Sequence, residues 1–184
     1  GVKRGYLTAN PARDAEKPKV IQSEIGILTP KQLRDLLNIS PPKIIPYIAI
    51  GAFCGLRRSE IVRLDWSAID LENRMIEVKA KISKSARRRL VDIPDNALTW
   101  LKTHKKKSGP VTPSNFRDHF ERAIFEAGID SWPSNALRHS YASYHLAHHQ
   151  DAARLALQMG HTNSALIFAH YRQIVKPQEA AEWW

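Results

Sequence analysis

The apolar positions of the chain recur mostly with the period of an α-helix. Those between residues 33 and 37 share one helix face, and Thr29 with Gln32 forms a capping box at the start of that helix. Residues 43–56 are apolar nearly all round, which indicates a second helix that is buried in the core. A short helix is predicted to follow over residues 59–66.

Two central stretches have the composition of strands instead. Residues 74–78 and 89–93 are rich in branched apolar side chains and flank a polar, basic connection, so we interpret them as a hairpin with a mobile basic tip. Helical patterns occupy most of the remaining chain, at residues 96–107, 113–128, 135–149, 151–160 and 164–174. The sequence therefore predicts an α+β fold, mainly α with a small antiparallel β-sheet of about three strands.

The two ends of the chain differ from this body. Residues 1–24 are polar and lack periodicity, and we interpret them as a linker or arm that arrives from something upstream. Residues 25–174 are expected to form one ordered domain. Residues 175–184 form a tail with an apolar end, which packs either on its own domain or on a neighbouring protomer.

The net charge of the chain indicates which class of partner it binds. The 28 lysines and arginines outnumber the 18 acidic residues and give the chain a net charge of +10, which favours nucleic acid as a partner. Cys54 is the only cysteine, so an intramolecular disulfide is excluded and a reducing cytoplasm is expected. We expect no membrane partner, because the sequence has no apolar run of membrane-spanning length.

Arginines stand at two places where a charge is costly to bury. Arg57 and Arg58 follow the buried apolar helix, and Arg138 interrupts a helix whose neighbouring residues are apolar. An internal ion pair is one explanation for each, with Glu60 or Asp65 as the partner of the first two. The other explanation is that the arginines bind an anion.

Two arginines and a tyrosine together have a specific chemical use. Two guanidinium groups can bind the non-bridging oxygens of one phosphate and stabilise its pentacovalent transition state. Tyr171, ten residues after His161, is either core packing or a nucleophile whose phenolate nearby cations favour. A lysine on the hairpin can protonate the leaving 5′ oxygen. Such a set cuts DNA without a metal or a cofactor.

Four stretches of the chain resemble the ordered motifs of one enzyme family. They are GLRRSEIVRLDW at 55–66, KSARRRLVDIP at 84–94, ALRHSYAS at 136–143 and MGHTNSALIFAHYRQ at 159–173. In order and broad spacing they resemble the tyrosine recombinases of the phage integrase type, over residues 27–182. The resemblance implies the catalytic-domain fold of that family and a site-specific DNA recombinase or integrase of a mobile element. It also implies a 3′-phosphotyrosine intermediate, a homotetramer on double-stranded DNA, and a cytoplasmic, nucleoid-associated protein. Residues 25–174 would then be the catalytic domain, and the arm at 1–24 would come from an N-terminal DNA-binding domain.

The resemblance assigns roles to the residues that match the motifs. Arg57 and Arg138 match the two phosphate-clamping arginines, and Glu60 matches the acidic residue that braces the first of them. His161 matches the histidine that contacts the phosphate and helps to hold the tyrosine. Tyr171 matches the nucleophile.

The general-acid lysine of the family is expected in the hairpin connection. Lys84 fits its spacing from the following strand, and we prefer it to Lys81, which lies in the same connection. Lys81, Arg87 and Arg88 are then expected to bind the DNA backbone.

One position departs from the family. Asn135 stands where the family usually has a histidine, three residues before Arg138, and an asparagine cannot take a proton. His139 stands where the family often carries a second histidine, and we assign it a supporting role. Removal of the proton from Tyr171 is then expected to fall to His161 or to solvent, or the enzyme is slow.

Three other interpretations compete with the recombinase. His145, His148 and His149 have a spacing that can hold a metal on one helix face, although partly solvated histidines explain it as well. The chain could also be a catalytically silent relative that binds DNA and regulates a recombination site, which Asn135 would explain. A type IB topoisomerase shares the phosphotyrosine chemistry.

Overall fold

The computed structural model describes residues 1–13, 25–83, 87–161, 165, 167, 171 and 175–184, and most of the regular secondary structure among them is helical. The α-helices of the body are α1 (Pro30–Ile39), α2 (Ile45–Cys54), α3 (Arg58–Ile61), α4 (Asp95–Lys102), α5 (Phe116–Glu126), α6 (Ala136–His149) and α7 (Ala152–Met159). A C-terminal helix spans Pro177–Ala181, and 3-10 helices span Val2–Arg4 and Trp66–Ala68. Within the described part of the chain, no helix is long and apolar enough to cross a membrane.

The predicted hairpin forms two strands of a three-stranded antiparallel sheet. Its strands are β1 (Ile69–Asp70), β2 (Met75–Val78) and β3 (Arg89–Asp92), and β2 lies between the other two. Ile76 pairs with Val91, and both side chains are fully buried, so one face of the sheet covers the core. The predicted fold class is therefore confirmed. Residues 84–86 at the tip of the hairpin lie outside the described residues, as do 14–24 of the predicted arm.

The buried helix is the centre of the fold. Every residue of α2 is buried, as its all-round apolar pattern predicts, and the helix packs against both α4 and α6. It is shorter than the predicted range because Pro46 stands in its first turn and Gly55 ends it in a left-handed conformation. Its C-terminal end therefore lies inside the molecule, beside α6.

Helix α6 is held in place by hydrogen bonds to the start of the body. The amide of Leu28 donates to the buried Ser140 Oγ at 2.8 Å, and Tyr144 Oη donates to the carbonyl of Leu28 at 3.0 Å. The predicted capping box of Thr29 and Gln32 is present at the start of α1, directly after Leu28. These contacts fix the position of α6 relative to α1.

Two predicted helices are shorter than their sequence patterns. The helix expected at 59–66 is a single turn, α3, because the chain then turns and pairs Asp65 with the segment at Gly109 and Pro110. The helix expected at 96–107 stops at Lys102. In a further turn Lys102 would face the like charges of Lys105 and Lys106, and the Ser-Gly-Pro at 108–110 does not continue a helix.

The C-terminal tail packs on its own domain in this structure. The ring of Trp183 stacks on Tyr144 with 4.1 Å between centroids, and its Nε1 donates to the carbonyl of Ala52. Ala180 of the C-terminal helix is fully buried, and this helix lies against α6. Exchange of the tail between protomers stays a prediction.

Candidate active site

A glycine turn sets the position of the first predicted arginine. Gly55 has φ +66°, and a Cβ at this position would lie 2.1 Å from the ring of Tyr141 on α6. Only glycine avoids both the strained backbone conformation and this clash. The chain therefore leaves α2 beside α6, and two residues later Arg57, in extended conformation, is the N-cap of α3.

Glu60 is a fully buried carboxylate that two arginines neutralise. Arg57 donates to it through the backbone amide at 2.9 Å and through Nη1 at 3.2 Å. Arg89, at the start of β3, donates with both terminal nitrogens, at 3.0 and 2.7 Å. Burial by itself raises the pKa of the Glu60 carboxyl, but the hydrogen bonds and charges of Arg89 and Arg57 outweigh it and lower that pKa. Glu60 therefore stays ionised and braces Arg57, as the family pattern implies.

Arg89 also reaches the end of α7. Its Nε donates to the carbonyl of Gln158 at 2.9 Å, and Gly160 lies against its guanidinium group. The sequence motifs assigned no role to Arg89. The sequence does contain a signal for such a role, because an arginine at the start of a strand with buried neighbours needs a polar or charged partner.

Arg138 is the most buried of the predicted site cations that the structure describes, with 6% of its surface exposed. Its guanidinium donates to the carbonyls of Gly55 and Met159, and to His161 Nε2 at 3.0 Å. Burial, together with the nearby charge of Arg57, lowers the pKa of Arg138 to about 9, so it stays a cation at neutral pH. The two carbonyls and the imidazole that it contacts carry no negative charge, so the charge of Arg138 remains available to an anion.

The turn that ends α7 positions His161. Gly160 has φ +66°, and the amide of His161 then donates to the carbonyl of Ala156 at 2.8 Å. Because an arginine can only donate, the 3.0 Å contact with Arg138 makes Nε2 of His161 an acceptor. The imidazole is thus oriented by the same guanidinium that is expected to hold the phosphate.

The ring of Tyr171 is buried, and its hydroxyl belongs to the candidate site. It is 5% exposed and belongs to a small apolar cluster with Leu155 and Met159 of α7. Its hydroxyl lies 2.8 Å from Nδ1 of His139. Burial raises the pKa of the Tyr171 phenol, while the charges of Arg138 and Arg57 act to lower it.

Asn135 stands at the edge of this group. It has φ +54°, a left-handed conformation that asparagine tolerates better than most residues, and it precedes α6. Its side chain is exposed, and its Nδ2 lies 3.4 Å from Ser134 Oγ. The residue is therefore placed to meet a ligand at the mouth of the site.

These residues surround one open pocket of about 670 Å³. The described residues that line it are Arg57, Arg58, Ser59, Val62, Arg63, Asn135, Arg138, His139, His161 and Tyr171. The structure thus brings both predicted arginines, both histidines, the asparagine and the tyrosine to one place, with Glu60 behind Arg57. Four arginines give the pocket a strong positive charge, so it suits an anion with several oxygens.

The structure describes only some of the hairpin residues that were predicted to act at the site. Lys84 lies outside the described residues. Lys81 and Arg87 are exposed near the tip and do not line the pocket, and Arg88 pairs with Glu77 at the surface. Their predicted contacts with DNA stay predictions.

The histidines of α6 do not support a metal site. Among the described residues, no group of three or more His, Cys, Asp or Glu side chains is arranged to hold a metal ion. His145 is buried rather than solvated, because it packs against Tyr141 and Trp184, and burial lowers its pKa to about 4. His148 and His149 are exposed.

The chain is similar in sequence to one known protein family. The sequence profile of the phage integrase family matches residues 27–177. The integrase of Shigella phage Sf6 is 23% identical over 164 residues, which is 81% of this chain and 41% of the phage protein. The chain therefore spans less than half of that relative.

Two solved structures share the fold. The crystal structure of XerA recombinase aligns with a TM-score of 0.67 and 18% identity, over 87% of this chain and 64% of its own. The XerH site-specific recombinase bound to difH substrate aligns with a TM-score of 0.62 and 20% identity, over 94% of this chain and 58% of its own. At these identities the likeness establishes the fold.

Proposed function

We propose that this chain, which belongs to the phage integrase family, is the catalytic part of a site-specific DNA recombinase that cuts and rejoins strands through a 3′-phosphotyrosine. The observation that carries the proposal is the single pocket that Arg57, Arg138, His161 and Tyr171 line together. In this proposal residues 25–174 form the catalytic domain, and residues 1–24 connect it to a DNA-binding domain upstream.

The two arginines are proposed to hold the scissile phosphate. Each guanidinium is already oriented, Arg57 by Glu60 and Arg138 by backbone carbonyls, so little reorganisation is needed when an anion binds. Both can donate two hydrogen bonds to non-bridging oxygens. They would then stabilise the additional negative charge that develops at phosphorus in the transition state. His161 and Asn135 assist at the same oxygens.

Tyr171 is the proposed nucleophile. Its oxygen attacks the phosphorus, a tyrosyl ester forms at the 3′ phosphate, and the bond to the 5′ oxygen breaks. The leaving oxygen takes a proton from a general acid, for which Lys84 remains our preference over Lys81. A 5′-hydroxyl of a partner duplex then reverses the step. The ester conserves the bond energy, so the reaction needs no nucleotide cofactor.

The proposed substrate is double-stranded DNA. The net charge of +10 and the exposed Arg58 and Arg63 at the pocket favour a polyanion, and a structural relative is described as bound to its DNA substrate. Lys81, Arg87 and Arg88 extend the same charge along the hairpin. We further propose a homotetramer on DNA and a location at the nucleoid.

The test is covalent capture of DNA. The protein is incubated with a pool of nicked suicide duplexes whose sequence is randomised around the scissile position, and adducts are separated on a denaturing gel and sequenced. We expect a protein–DNA adduct with a preferred sequence that Tyr171→Phe abolishes. DNA binding without any adduct would favour the silent regulator instead. Relaxation of supercoiled plasmid without a preferred sequence would favour the topoisomerase.

A further inference from the structure

His139 is in direct contact with the hydroxyl of the proposed nucleophile. Nδ1 of His139 and Oη of Tyr171 are 2.8 Å apart, and the two rings are tilted by 41°. His139 lies on α6 next to Ser140, whose hydrogen bond with Leu28 helps to hold the helix. When the imidazole carries its proton on Nε2, Nδ1 accepts the hydrogen bond from the phenol.

The other polar groups of the pocket are less suited to receive that proton. Asn135 has no basic nitrogen, and its amide bonds to Ser134. The lone pair on Nε2 of His161 already accepts a hydrogen bond from Arg138. Among the described residues, the remaining charged groups that line the pocket are cations, contributed by α6 and by the segment around α3: Arg57, Arg58, Arg63 and Arg138. Of the lining residues that the structure describes, His139 is the one whose basic nitrogen contacts the phenol.

We propose that His139 is a catalytic residue that takes the proton of Tyr171 as the tyrosyl ester forms. The inference rests on the proposed function and assigns the proton step that Asn135 cannot perform. The phenolic oxygen bonds to phosphorus, its proton passes to Nδ1 of His139, and the leaving 5′ oxygen is protonated by the general acid. In the reverse step the imidazolium returns the proton to the departing phenol.

The surrounding charges support this direction of transfer. Arg138 and Arg57 stabilise the negative charge that grows on the tyrosine oxygen, and they oppose the effect of burial. The proton also moves over a single short hydrogen bond, so no water is needed between donor and acceptor.

A pair of variants separates proton transfer from positioning. His139→Asn places an amide near the position of Nδ1, so it can still hydrogen-bond to the phenol but cannot accept a proton. We expect cleavage of suicide duplexes recovered from the random pool to slow by about 10²–10⁴-fold, with unchanged affinity for DNA. His148→Asn is the matched control, because it makes the same change at an exposed position of the same helix and should leave the rate unchanged.

The pH dependence and the leaving group give two further readouts. The wild-type rate should rise with pH through one ionisation that His139→Asn lacks. With a 5′-bridging sulfur at the scissile position, which leaves without protonation, His139→Asn should stay slow, because its defect lies at the nucleophile. His139→Gln provides a second variant if His139→Asn unfolds at a lower temperature than the wild type.

The inference and the proposed function fail in different ways. If Tyr171→Phe still forms the adduct, the proposed nucleophile is wrong. If Tyr171→Phe abolishes the adduct while folded His139→Asn and His139→Gln cleave within about ten-fold of the wild-type rate, only the proton acceptor is wrong. Rescue of His139→Asn by the bridging sulfur would also overturn the inference.

Discussion

Replacing Arg89 with methionine tests the buried network behind the phosphate pocket. Methionine keeps much of the apolar stem but removes the guanidinium, which makes two hydrogen bonds with Glu60 and one with the carbonyl of Gln158. Glu60 has no exposed surface, so it cannot recover the lost interaction from water. The variant therefore leaves a buried carboxylate with Arg57 as its remaining ionic partner.

The expected cost follows from that change. Removing one partner of a buried ion pair typically costs about 3–5 kcal/mol. We expect the low end, about 3 kcal/mol, because Glu60 keeps its two contacts with Arg57. For a chain of this length that corresponds to a fall in melting temperature of about 6–12 °C. Glu60→Gln in the same background should recover part of the loss, because the unpaired charge disappears.

Urea unfolding followed by circular dichroism measures the effect. Arg88→Met is the matched control, because it removes the neighbouring arginine, which is 67% exposed and pairs with Glu77 at the surface. Its free energy of unfolding should change by less than about 1 kcal/mol. Equal stability changes in Arg89→Met and Arg88→Met would refute the argument that the buried pair braces the site.

Three further predictions concern stability. Gly55→Ala should lower the melting temperature by more than Gly128→Ala, since both glycines have positive φ but only the first would push a Cβ into the ring of Tyr141. The pKa of Glu60 is lowered in the fold, so its contribution to stability is present above about pH 4.3 and is lost as the pH falls through its folded-state pKa. The stability of Glu60→Gln should therefore decline less in acid. Trp183→Ala should cost about 3–5 kcal/mol of unfolding free energy in urea, because the ring is buried, and light scattering should show no change in oligomeric state if the tail packs in cis.

Local patterns predicted much of the fold. The capping box at Thr29, the all-round apolar helix α2 and the hairpin of β2 and β3 follow from periodicity and from residues with strong conformational preferences. Helix ends were less predictable where the chain pairs with a distant segment, as Asp65 does with Gly109.

Part of the candidate site could likewise be predicted from the sequence, and part of it could not. The order of motifs was sufficient to select Arg57, Arg138 and Tyr171, which line one pocket in the structure. The contacts of Arg89 with Glu60 and of His139 with Tyr171 join residues about thirty positions apart, and no local period encodes such pairs. They depend on how β3 and α6 pack, which only the folded chain reveals.

The most direct measurement of the central claim is to locate the covalent bond. The adduct formed with a suicide duplex is digested with protease and nuclease, and the modified peptide is sequenced by mass spectrometry. We predict a nucleotide joined through its 3′ phosphate to Tyr171, at a yield that Arg57→Ala and Arg138→Ala each reduce strongly. A nucleotide on any other residue, or a yield that is indifferent to both arginines, would contradict the account.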